Sequence, residues 1–132
     1  MIFHQKEVYA PDYKKRLKDL IDITKNNNII PVFVTQPSLL GKGVDQPTSI
    51  DLERIIHCDD MGGKAYWEKL EIYNDVTRNL AKKENVLLID LARKMPKSTS
   101  LFYDCVHYTN AGAEVVSQIL YDGLKHTIKT DL

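Results

Sequence analysis

Two stretches of this chain, Ile29-Ile-Pro-Val-Phe-Val-Thr35 and Val86-Leu-Leu-Ile-Asp-Leu91, are apolar almost without interruption and show no polar–apolar alternation. A strand with one face in water alternates. A strand that reads continuously apolar expects cover on both faces, the condition of a parallel sheet with helices above and below it. Pro31 lies near the start of the first run, where a missing N–H is best tolerated.

Around these runs the apolar period lengthens to that of a helix. Tyr13, Leu17, Leu20, Ile21 and Thr24 repeat at helical spacing, with Asp12 expected as N-cap and Asn26-Asn27-Asn28 as the stop. A second helix is expected over 64–84, through Tyr66, Trp67, Leu70, Tyr73, Val76 and Leu80. A third is expected over about 110–126, through Ala111, Val115, Val116, Ile119 and Leu124. Between the first strand and the second helix lies a long irregular stretch, Gln36 to Gly63, in which Asp51–Ile56 reads as a short helix. Loops of such length are uncommon in compact domains and often functional.

Alternating helices and buried strands imply an α/β class with parallel strands and right-handed crossovers. At 132 residues the chain has the size of one domain. Yet two strands are few, because sheets usually carry about five or six and an isolated pair is marginal in water. The expectation is that the chain is the C-terminal part of a larger doubly wound domain, or that two copies complete one another's sheets. Self-association is common to both.

Charge excludes several function classes. Lys and Arg number 18 and so do Asp and Glu, for a formal net charge of zero, so no long-range field draws nucleic acid or anionic lipid. No apolar run reaches the roughly 18 residues of a membrane span, and His4-Gln-Lys6 stands where a signal peptide needs an apolar stretch. The compartment therefore stays open. Cys58 and Cys105 are too few for a disulfide scaffold. Phosphate-binding glycine loops are missing from the sequence.

The residues that carry chemistry are Asp104 and His107, in Tyr103-Asp-Cys-Val-His-Tyr108 just before the last helix. A carboxylate three residues before an imidazole can accept from Nδ1–H, fix the tautomer and support the charge acquired when Nε2 takes a proton. The same spacing also suits an Asp that caps a turn beside an exposed loop histidine. Both readings are open on spacing alone.

Asp104-Cys-Val-His107 followed by Tyr108-Thr-Asn-Ala-Gly112 resembles the closing block of SGNH/GDSL-type ester hydrolases. Pro31-Val-Phe-Val-Thr-Gln-Pro37 is similar to the strand after that family's third block, and Tyr73-Asn74 with Val86-Leu-Leu-Ile-Asp-Leu-Ala92 to the helix and strand before its final loop. Met95-Pro-Lys-Ser98 and Phe102-Tyr-Asp104 are similar to a bacterial branch of the family. The resemblance implies a flavodoxin-like three-layer α/β/α fold, present as its C-terminal half. It implies hydrolysis of an acyl or O-acetyl ester, on a carbohydrate or a small acyl ester, with no metal or organic cofactor. His107 would be the base that deprotonates a serine, with Asp104 orienting it. Gln36 and the Leu39–Gly63 loop would shape the substrate side.

The family's nucleophile and oxyanion blocks have no counterpart, since the sequence holds no Gly-Asp-Ser and no Gly-x-Asn-Asp. Without them the largest catalytic contributions are missing and the isolated chain is expected to be nearly inert. Ser38 lacks a nucleophile elbow, Ser98 and Ser100 lie in a polar loop, and Cys105 reads as a small packed thiol. His57-Cys58-Asp59-Asp60 and the Asp104–His107 segment lack zinc-site spacing, so no metal is expected. Tyr66 and Trp67 read as core or rim aromatics, and the Lys14-Lys-Arg16 and Lys82-Lys83 runs as solvated helix faces. The competing expectation is a non-catalytic module that pairs through an open sheet edge.

Overall fold

A computed structural model describes residues 4–56 and 62–128. Among them are four α-helices, here α1 (Ala10–Asn26), α2 (Gly63–Glu84), α3 (Leu91–Lys94) and α4 (Asn110–Ile128). The strands are β1 (Val32–Val34), β2 (Val44–Asp45), β3 (Ile50–Asp51) and β4 (Leu87–Ile89). The chain is α/β, and it divides into two compact units, Met1–Gln36 with Glu68–Asp90 and Pro37–Trp67 with Leu91–Leu132.

The first unit holds the parallel pair β1–β4, in the register Val32 with Leu87, Phe33 with Leu88 and Val34 with Ile89. Both strands are launched by one device. Asn28 (φ 56°) and Asn85 (φ 52°) adopt the left-handed conformation just after α1 and α2. Ile29 N–H then donates to the Thr24 carbonyl and Val86 N–H to the Ala81 carbonyl, each at 2.9 Å. These are Schellman closures, with a β-branched residue in the position that folds back on the helix. Val86 and Ala81 accordingly share a core with Ile21 and Leu80, against which Leu17, Phe33 and Leu88 pack.

The start of α1 differs from expectation. A π-helical turn, Gln5–Tyr9, runs directly into it, and Tyr9 occupies the N-cap without a side-chain bond. Pro11 and Asp12 fall in the first turn of α1 instead. Cover on both faces is also not observed along β1, where Val34 is 43% exposed, whereas Ile89 of β4 is 1% exposed.

At the carboxyl ends of this pair the polar groups are tied together. Thr35 Oγ1 donates to Asp90 Oδ1 at 2.8 Å. Arg78 reaches both oxygens of Asp90, through Nε at 2.8 Å and Nη2 at 3.0 Å, and its Nη1 meets Glu71 and Asp75 at 2.8 Å. Buried Asn74 brackets the Gln36 backbone, accepting from its N–H and donating to its carbonyl, each at 2.9 Å.

The second unit packs around Leu39, Leu52, Leu91, Met95 and Phe102, with Leu101, Tyr108 and the α4 residues Val115, Val116 and Ile119 against them. The 36–63 stretch is not structureless: β2 and β3 form an antiparallel pair. The short helix expected at Asp51–Ile56 is absent. Leu52 N–H donates to the Gly43 carbonyl at 3.0 Å, and the Asp51 side chain and carbonyl take Glu53 N–H at 3.0 Å and Arg54 N–H at 3.1 Å, so the segment closes a turn and does not propagate as a helix.

Candidate active site

The Asp104–His107 segment is the tip of a small antiparallel loop. Phe102 and Tyr108 bridge across it, Thr109 N–H donates to the Leu101 carbonyl at 2.9 Å and Tyr103 N–H to the His107 carbonyl at 3.1 Å. Alternation along such a ladder sends neighbours to opposite faces. Phe102 is 1% exposed and Tyr103 69%. Phe102 and Tyr108 pack ring to ring, 5.2 Å between centroids, while Tyr103 and His107 stand together on the outer side.

The loop is anchored to α4 by the residues that follow it. Thr109 Oγ1 donates to the Ser100 carbonyl at 2.8 Å and accepts from Gly112 N–H at 3.1 Å, which caps the first turn of the helix. Gly112 is needed there because a Cβ would lie 2.0 Å from the Leu101 carbonyl oxygen. The Thr109-Asn-Ala-Gly112 text thus encodes a cap and a close approach that holds the loop against the helix.

Within the tip, one carboxylate does two jobs. Asp104 Oδ1 accepts from Val106 N–H at 2.9 Å and His107 N–H at 2.8 Å, closing the turn. Oδ2 lies 2.6 Å from His107 Nδ1. The turn-capping role and the imidazole contact, alternatives on spacing alone, therefore coexist. The Val106 N–H first, then the His107 N–H and the imidazole, hold the Asp104 carboxyl down at about 2. An ionised carboxylate only accepts, so the proton of the shared bond sits on Nδ1, and in the neutral imidazole the lone pair is then on Nε2. The imidazole is open to solvent, its side chain 65% exposed. Nε2 is thus available to take a proton from a group brought to it.

A neighbouring segment grips the tip from behind. Ser38, only 3% exposed, donates from Oγ to the Cys105 carbonyl at 3.0 Å and accepts from Leu40 N–H at 3.1 Å. Leu39 N–H donates to the same carbonyl at 2.9 Å. Lys97 Nζ in turn donates to the carbonyls of Ser38 and Leu40. Ser38 is a clamp, with its hydroxyl committed on both sides. Ser98 and Ser100 bond to one another at 2.9 Å.

Cys105 departs from the thiol reading, because it is disulfide-bonded. It carries no nucleophilic sulfur in this state. The chain's other cysteine, Cys58, lies with His57, Asp59 and Asp60 outside the described residues. Among the described residues no group of three or more His, Cys, Asp or Glu side chains could hold a metal ion, and no helix is long and apolar enough to cross a membrane.

No family model, curated protein or solved structure compared with this chain matches it. The functional reading therefore rests on the residues themselves.

Of the predicted site residues, Asp104 and His107 meet in the second unit. Gln36 belongs to the first, exposed at its side chain and fixed through its backbone by Asn74. Trp67 has a structural role: its indole stands against Gly41, where a Cβ would fall 2.7 Å from the ring at a φ of +120°. Three features went unread in the sequence. Tyr103 lies stacked on His107, a pairing the Phe-Tyr…His-Tyr symmetry about the tip would have suggested. Ser38 and Lys97 carry no local signal. Asp45, fully buried, accepts from Thr99 N–H at 2.9 Å and Thr99 Oγ1 at 2.8 Å. Burial opposes its charge, but bonds from Thr48 and Thr99 outweigh that and lower its pKa.

Proposed function

We propose that this chain carries the acid–base half of a serine ester hydrolase of the SGNH/GDSL type, acting on acyl or O-acetyl esters. The observation that carries the reading is the 2.6 Å bond between His107 Nδ1 and Asp104 Oδ2 with the ring exposed. In the reaction, Nε2 accepts the proton of a serine hydroxyl as its oxygen attacks the ester carbonyl, and the carboxylate supports the imidazolium. The same proton then passes to the departing alkoxide. The serine and the oxyanion donors belong to sequence this chain does not contain, within a flavodoxin-like three-layer domain of which it is the C-terminal part.

A fluorophosphonate probe, which modifies only an activated serine, tests this. The chain alone should remain unlabelled. The product of the whole reading frame that encodes it should be labelled at one serine, and His107→Ala should abolish that labelling. Labelling indifferent to His107, or labelling of the chain alone at Ser38, overturns the proposal.

A second reading, an interaction module that self-associates by edge pairing, is favoured by the exposed Ile29, Ile30 and Val34 on and beside β1. Sedimentation decides it: a monomer at high concentration rules edge pairing out.

A further inference from the structure

The ring of Tyr103 lies nearly parallel to the imidazole of His107, 12° between planes and 5.8 Å between centroids. Tyr103 is largely in solvent, so burial does not explain why it stands there. Its backbone N–H is bonded to the His107 carbonyl at 3.1 Å, and the next pair along, Phe102 and Tyr108, is bridged. The backbone thus sets the two side chains opposite one another on the outer face, as in a cross-strand pair. The tip between them is closed by Asp104, whose carboxylate takes Val106 N–H, His107 N–H and His107 Nδ1.

A single hydrogen bond from Nδ1, which lies off the Cβ–Cγ axis, restrains the ring's rotation, but with the broad angular tolerance of one bond. An offset aromatic stack fixes the plane. A general base needs both, because its lone pair must hold direction to within about 10–20°. We infer that Tyr103 is a positioning residue for His107: Asp104 holds Nδ1 and the Tyr103 ring sets the plane, so that together they aim Nε2. The inference rests on the acid–base reading of Asp104 and His107, and it requires the ring of Tyr103 but not its hydroxyl.

The test uses the chain as it stands, with NMR of the His107 side chain. Ring order comes from carbon relaxation and the tautomer from nitrogen shifts. In the wild type and in Tyr103→Phe the ring should be as ordered as rigid backbone, with an order parameter near 0.85. In Tyr103→Leu, which keeps bulk without a flat face, it should fall below about 0.6, the range of flexible groups. Unchanged order in Tyr103→Leu, or a loss in Tyr103→Phe equal to that in Tyr103→Leu, overturns the proposal. Matching backbone amide shifts outside 101–109 establish that each variant is folded. Asp104→Asn separates the proposal from the reading beneath it. There the Nδ1–H preference should disappear while Tyr103 still orders the ring. A preference that survives Asp104→Asn overturns the acid–imidazole pairing, whereas a ring that loses order only on loss of the aromatic face upholds the stack.

Discussion

The hydroxyl of Ser38 donates to the carbonyl of Cys105 across 3.0 Å, so a serine at the end of one segment holds the middle of the loop that carries the acid and the imidazole. The serine set aside as a nucleophile for want of an elbow is thereby committed to the backbone. Ser38→Ala should cost about 1–3 kcal/mol, since it removes a buried bond and leaves Leu40 N–H without its hydroxyl acceptor. Urea denaturation measures the loss. Faster amide exchange at Val106 and His107 should accompany it.

Arg78 is the charged hub of the first unit, with a side chain only 10% exposed and Glu71, Asp75 and Asp90 around it. Arg78→Met leaves the carboxylates of Glu71 and Asp90 partly buried without their cation and should cost about 3–5 kcal/mol. Arg78→Lys should recover only part, because an ammonium cannot reproduce the fork that bridges three carboxylates. Chemical denaturation of the three proteins checks the order.

Acid should loosen the loop at a lower pH than an ordinary aspartate would allow. The folded Asp104 carboxyl is held to about 2 by the Val106 and His107 N–H groups and then the imidazole. A depressed carboxyl stabilises the fold above its unfolded value, ordinarily about 3.9. That contribution fades as the pH falls from about 4 through about 2. Carboxyl carbon NMR of Asp104 should titrate near 2, with the amide shifts of Val106 and His107 following it. An ordinary midpoint would mean that these bonds do not persist in solution.

Gly112→Ala sets two effects against one another. Alanine favours a helix by about 1 kcal/mol over glycine, but its methyl would stand 2.0 Å from the Leu101 carbonyl oxygen. The clash should win, with a net loss of about 1–3 kcal/mol. Thermal unfolding gives the size, and a shift at Thr109 N–H, which bonds to that carbonyl, locates the cause.

The three long helices were legible because each has a full apolar period. The strands were legible as runs, though their length and cover were not. Ile29 and Ile30 extend the apolar text but lie before β1 and are exposed. Composition cannot tell a strand's core from its approach. Leu91–Lys94 is a single helical turn, too short to establish a period. In the site, Asp104 and His107 were visible because sequence neighbours bond to one another. The Ser38 clamp spans 67 residues and the Thr99–Asp45 bond 54. Such pairings follow from tertiary packing and leave no local pattern. Tyr103 lies between these cases, four residues from its partner and readable once the loop is recognised as paired.

Phe102 and Tyr103 differ by one position, and so do His107 and Tyr108. A strand slipped by a single residue would turn the phenyl ring outward and the imidazole toward the leucines. The loop therefore tolerates no half-correct state. Errors of pairing that would empty the apolar interior are the same errors that would turn His107 away from solvent, so the pressure to fold also keeps the imidazole on the outer face.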